Sequence, residues 1–222
     1  MQQLVLELAP PAPPTLDNFF PGPNAAALAA VRDAFAGGER VTYLWGEAGS
    51  GKTHLLRAAA SEGASLGQAA VYVSAPHAAL AALPACSVLA VDDVDALDDA
   101  AQLALFDAFN LLRTRDGLLF AAGSRPVAEL ALREDLRTRL GSGLTMRLAP
   151  LGDAEKAEAL AGHAAQRGLR PATEVIAYIL THFDRDMGSQ MALLDAMDRL
   201  SLEQKRPLTL PFVRDALRAL AP

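Results

Sequence analysis

The chain has 222 residues, 51% of them hydrophobic and 21% charged, with a formal charge of −6. That length can bury a sizeable core as one large domain or two small ones. Acidic residues outnumber basic ones both before and after Pro150, which excludes the broad basic surface that strong direct DNA binding by this chain would need.

Cys86 is the only cysteine, so no internal disulfide can form, and it reads as a buried, inert thiol in a reducing compartment. No basic n-region precedes an apolar stretch at the N-terminus, and no apolar run is long enough to span a bilayer. The expectation is a soluble cytoplasmic protein without membrane contact.

Along the chain, Gln3-Leu4-Val5-Leu6-Glu7-Leu8 alternates as a strand would, and Pro10, Pro11, Pro13 and Pro14 then interrupt it. Residues 1–15 read as a short apolar peptide on a semi-rigid tether. A helical stretch over 24–36 ends at Gly37–Gly38. From there to Pro150 apolar runs alternate with helical patterns. The runs are Val41–Trp45, Ala69–Val73, Val88–Val91, Leu118–Ala122 and Leu144–Leu148. Two-sided hydrophobicity of this kind predicts an α/β domain over 16–150, a parallel sheet flanked by helices on both faces. After Pro150 the strands stop, and helices over 153–168, 172–183, 188–202 and 210–220 predict a small all-α domain over 151–222.

Gly46-Glu47-Ala48-Gly49-Ser50-Gly51-Lys52-Thr53 matches G-x-x-x-x-G-K-[ST] at every fixed position. It sits between a predicted strand and a predicted helix, the context a phosphate-binding loop requires. Glycines let backbone N–H groups close around phosphate, and the helix that follows adds its positive end. Lys52 is expected on the β- and γ-phosphates of ATP or ADP, and the Thr53 hydroxyl on Mg²⁺. His54 closes the candidate binding stretch; His77, His163 and His182 lack metal-ligand spacing and read as structural or exposed.

Ser87-Val88-Leu89-Ala90-Val91-Asp92-Asp93 places two carboxylates at the C-terminal end of a strand, where ligands bind in such sheets. Asp92 is expected to hold Mg²⁺ through water, and Asp93 to orient the attacking water. Asp95, Asp98 and Asp99 read as a solvated loop and a helix cap.

Several segments together resemble the DnaA family of AAA+ proteins, and within it the Hda branch of regulators. They are Leu16-Asp17-Asn18-Phe19-Phe20 with Gly22 and Asn24, then Gly51-Lys52-Thr53-His54-Leu55-Leu56, then Gly123-Ser124-Arg125-Pro126. Leu136 to Leu144 and Arg206 to Val213 continue the likeness. The resemblance implies an AAA+ sheet followed by a lid. It makes Ser124 the sensor 1 residue and Arg139 the arginine finger presented to a neighbour's nucleotide. Spacing alone does not choose among Arg133, Arg137 and Arg139. It also implies that Gln3, Leu4, Val5, Leu6, Glu7 and Leu8 bind the DNA polymerase III sliding clamp (beta subunit), with the glutamine and leucines lying along an edge. The chain ends after the lid segment, with no room for the helix-turn-helix domain of an initiator. One position departs from the pattern: Gly188 falls where the family carries its sensor 2 arginine.

By resemblance, the expected function is a nucleotide-bound regulator of DNA replication initiation. With the DNA-loaded clamp, it stimulates hydrolysis of DnaA-bound ATP and so prevents re-initiation. ADP is the nucleotide implied for the active form, intrinsic turnover is expected to be weak, and homodimerisation stays open. The alternative is a self-contained ATPase similar to the helicase loader DnaC; the negative charge and the lack of an aromatic-basic stripe disfavour it. A small-molecule P-loop kinase would need an acceptor pocket and lid arginines, and 151–222 reads as a helix bundle instead.

Overall fold

Apolar runs become five short strands: β1 (Val41–Trp45), β2 (Ala70–Ser74), β3 (Val88–Asp92), β4 (Leu118–Gly123) and β5 (Leu144–Arg147). The computed structural model describes residues 13–75, 85–169, 171–183 and 187–220. The peptide over 3–8 and His77 lie outside the described residues. All pairings are parallel and the strand order is β2-β3-β4-β1-β5. α1 (Ala25–Phe35) precedes β1, and α2 (Lys52–Ser65), α3 (Asp99–Thr114) and α4 (Glu134–Leu140) run between the strands.

Period-two alternation divides the strand side chains between two helical layers. Leu44, Val88, Ala90, Phe120 and Ala122 pack with Val31 of α1 and Leu55, Leu56 and Ala59 of α2. Tyr43, Leu89, Val91, Leu119 and Ala121 pack with Leu105 and Phe109 of α3 and Leu136 and Leu140 of α4. Fully burying a leucine or phenylalanine is worth about 2–3 kcal/mol relative to leaving it exposed. The residues of β3 and β4 are buried without exception, as predicted for a covered parallel sheet.

The edges differ from that expectation. β5 is mostly exposed and β2 only half-buried, because a strand at the end of the order has a neighbour on one side only. Arg147 lays its guanidinium over the Trp45 ring, 5.5 Å from the centroid, so a cation covers apolar surface at the edge. Cys86 is half-buried rather than fully buried, and burial pushes its thiol up from the usual range.

Pro13–Pro150 and Leu151–Pro222 fall into separate compact units. The second holds α5 (Asp153–Gln166), α6 (Thr173–His182), α7 (Met187–Gln204) and α8 (Leu210–Leu220). Leu160, Val175, Ile179, Leu194, Met197, Phe212 and Val213 form its core. Inside it, His163 and Arg167 both bond the Asp195 carboxylate, at 2.8 and 2.6 Å, so His163 is a structural histidine. Gly188 lies in the first turn of α7.

Candidate functional site

The phosphate-binding motif occupies the turn from β1 to α2. Gly46 (φ 155°) and Gly51 (φ 97°) are held in the left-handed region, which a side chain would strain. A Cβ at Gly46 would also collide with the Leu148 carbonyl. Gly51 caps α2 without any side-chain bond, so the first N–H groups of that helix remain available to an acceptor. Lys52 Nζ donates to the carbonyls of Gly46 and Glu47, at 2.8 and 2.9 Å. Ser50 Oγ is buried without a hydrogen-bond partner. A buried hydroxyl left unpaired in such a turn fits an anionic ligand.

Asp92 ends β3 and is 1% exposed. Its Oδ2 accepts from the Thr53 hydroxyl at 2.6 Å and from the Tyr72 hydroxyl at 3.1 Å, and its Oδ1 accepts from Asp93 N–H at 3.1 Å. With its proton given to Asp92, the Thr53 oxygen keeps lone pairs free. An alcohol and a carboxylate are hard oxygen donors and suit Mg²⁺, which takes its other ligands from water and phosphate. These residues fit the metal.

Asp93 adopts φ 53°, a conformation aspartate enters more readily than most residues. Its carboxyl lies above the ordinary range, through burial first and then through Asp92 and Asp95; Ser74 Oγ donates to it at 3.4 Å. Ser124 directly follows β4. Its hydroxyl donates to Asp95 Oδ2 at 2.5 Å and its backbone N–H to the same oxygen at 3.3 Å. Tyr43 OH donates to the Arg125 carbonyl at 2.7 Å, and burial together with Asp95 raises that phenol. Because β3, β4 and β1 are neighbours, Asp92, Asp93, Ser124 and the loop all sit along the C-terminal edge of the sheet.

His54 faces a different partner. Its Nε2 lies 3.2 Å from the Thr15 carbonyl and 2.9 Å from Asn18 Oδ1; a carbonyl can only accept, so this nitrogen carries the proton. Burial lowers the His54 pKa, against the bond to Thr15. Phe19 adds its ring 5.4 Å from the imidazole. His54 therefore anchors the segment 15–19 on α2 rather than adding a group to the loop.

The three arginines around α4 separate clearly. Arg133 is exposed and paired with Asp135 at 3.1 Å. Arg137 is half-buried. Arg139 places its guanidinium 5.6 Å from the Phe109 ring centroid and lines a cavity of about 250 Å³ with Arg40, Val41, Leu112, Arg113 and Leu119. Val41 opens β1 and pairs with Leu119 near the start of β4. The cavity is thus at the N-terminal edge of the sheet, about 16 Å along the chain of β1 from the loop at a rise near 3.3 Å per residue. Arg139 does not serve its own chain's loop.

Residues 153–217 match the family model of the Hda lid domain. A crystal structure of a DNA replication initiation factor is 25% identical, with a TM-score of 0.68, over 86% of this chain and 67% of that one. Domain III of the Thermotoga maritima initiation protein DnaA shares the fold with a TM-score of 0.73 at 19% identity, over 96% of this chain and all of that domain. AMPPCP-bound DnaA from Aquifex aeolicus does so with a TM-score of 0.68 at 24% identity, over 86% and 68%. The fold is the one these structures share, a parallel sheet of the AAA+ type, and residues 153–217 are similar to an Hda lid domain. Among its described residues no helix is long and apolar enough to cross a membrane.

Two residues of the site escaped the sequence reading. Asp95 is exposed, as expected, and it is also the acceptor that fixes Ser124. Tyr72 carried no motif at all, and it touches Asp92. Asp98, by contrast, caps α3 as expected, accepting from Ala101 N–H at 2.8 Å.

Proposed function

We propose that this protein binds ATP or ADP at Gly46–Thr53 and regulates replication initiation by donating Arg139 to the ATP held by DnaA. The carrying observation is the placement of Arg139 on the opposite edge of the sheet from its own loop. Remoteness from its own loop supports a role at a neighbour's phosphate, where a guanidinium can stabilise charge that develops during transfer. Phe109 and the apolar wall leave its donors uncommitted among the hydrogen bonds of the described residues.

At the chain's own site, Lys52 exchanges the carbonyls of Gly46 and Glu47 for phosphate oxygens. Thr53 and Asp92 would hold Mg²⁺, which when bound neutralises charge between the phosphates. Asp93 and the Asp95-held Ser124 face the water side of that edge. By resemblance, Gly188 stands where the family carries its sensor 2 arginine, which supports slow intrinsic turnover. The resemblance also supports an ADP-bound active form. Gln3–Leu8 would bind the sliding clamp, so that capture on clamp-loaded DNA brings Arg139 to DnaA.

The test is hydrolysis of DnaA-bound ATP in the presence of DNA-loaded clamp. Arg139→Ala is expected to lower the stimulated rate by about 10³-fold while its own ADP affinity stays unchanged. Removal of residues 3–8 should abolish clamp binding and the stimulation together, with nucleotide binding retained. Equal hydrolysis by wild type and Arg139→Ala would remove the finger role.

A further inference from the structure

We propose that Tyr72 is a positioning residue for the metal site, orienting the Asp92 carboxylate toward a magnesium-bound water. The inference rests on the nucleotide and magnesium reading above. Tyr72 lies on β2 in register with Ala90, two residues before Asp92 on β3, so its side chain and that of Asp92 share the face covered by α2. Its hydroxyl bonds the same oxygen, Oδ2, that receives the Thr53 hydroxyl. The ring is itself held: Arg57 of α2 lies 5.0 Å from its centroid. Thr53 and Arg57 are four residues apart on one helix and therefore on one face. Thr53, Asp92, Tyr72 and Arg57 thus close a ring through α2, β3 and β2.

A carboxylate offers about four acceptor positions. Two donors converge on Oδ2 and the Asp93 N–H takes one position on Oδ1. The remaining position, on Oδ1, is the one left for a water on the metal. A structural role for Tyr72 alone would leave its donor on any nearby acceptor; here it lands on the carboxylate that the metal site uses, and fixes its rotation. Partners of this kind tune metal affinity more than they tune the fold.

Tyr72→Phe keeps the ring and the stacking of Arg57 on it, and removes the hydroxyl that donates to Asp92 and also interacts with Arg57. ADP affinity is read by calorimetry in EDTA and across a magnesium titration, with thermal unfolding measured alongside. The expected result is an unchanged Kd in EDTA, an unchanged unfolding midpoint, and a magnesium midpoint raised about tenfold. A magnesium-dependent wild type matched by Tyr72→Phe at every magnesium concentration overturns the inference alone. An equal loss of affinity in EDTA also overturns it, since the change then reaches the whole site. A wild type that binds ADP with no magnesium dependence overturns the metal reading itself, and the inference with it.

Discussion

The two edges of the sheet are built on opposite principles. Along the C-terminal edge most polar side chains are committed to one another: Thr53 and Tyr72 to Asp92, Ser124 to Asp95, Tyr43 to the Arg125 carbonyl, with Ser50 Oγ the exception among those described. Along the N-terminal edge, Arg139 rests on an aromatic ring over an apolar cavity, with Arg40 and Arg113 nearby. A network of mutually satisfied donors fixes geometry in advance and needs no second molecule to be stable. A cation on an aromatic face keeps its N–H fork free for an acceptor that arrives from outside. On the proposed reading, one edge holds the nucleotide and the other completes a neighbour's site.

The strongest way to break this contrast, after the Arg139→Ala experiment, is Lys52→Ala. It is expected to weaken ADP binding about 100-fold, the loss of one or two charge-assisted hydrogen bonds at roughly 1.5–3 kcal/mol each. The ADP-induced rise in melting temperature should vanish with it. If ADP still protects the variant fully, the C-terminal edge is not the nucleotide edge. Next in size is Phe109, which should govern the finger rather than the nucleotide. Phe109→Leu keeps apolar volume but removes the ring quadrupole, and should lower the stimulated hydrolysis rate about fivefold, the weight of a cation–π contact near 1 kcal/mol. Phe109→Tyr should restore it. Loss of ADP binding in either variant would show that the edges are not independent.

The smallest expected effect sharpens the electrostatics of the nucleotide edge. The Asp93 pKa is raised by burial and by Asp92 and Asp95, so folding disfavours its charged form. The protonated form is favoured at low pH, and stability falls as pH rises from the ordinary carboxylate value through the raised one. Asp93→Asn, which tolerates φ 53° equally well, should raise the melting temperature at pH 7 by about 1–2 °C. That gain should shrink as pH drops below the carboxylate range. A gain of equal size at pH 3 and pH 7 would show that charge repulsion is not its source.

Local signals made most of the fold legible. The loop motif is contiguous, the strands are short apolar runs, and Asp98 announces the helix it caps. The edge strands were misjudged because apolar composition does not reveal whether a strand has one neighbour or two. The parts of the site that stayed hidden are joined across the chain. Asp95 and Ser124 are 29 residues apart, Tyr72 and Asp92 are 20 apart, and His54 and Asn18 are 36 apart. No spacing rule connects such pairs before the strand order is known. Arg139 was singled out by resemblance; its remoteness from its own loop emerges only from the register of β1 and β4.

The latch between His54 and residues 15–18 has a mechanical meaning. Thr15 and Asn18 also bond each other in both directions, at 2.8 and 3.1 Å, so this stretch behaves as a small rigid clasp rather than a slack lead. Any pull delivered at Pro13 is passed by the clasp to the imidazole, and by the imidazole to the helix that begins at Lys52. Force applied at that end of the polypeptide is therefore felt one residue from Thr53.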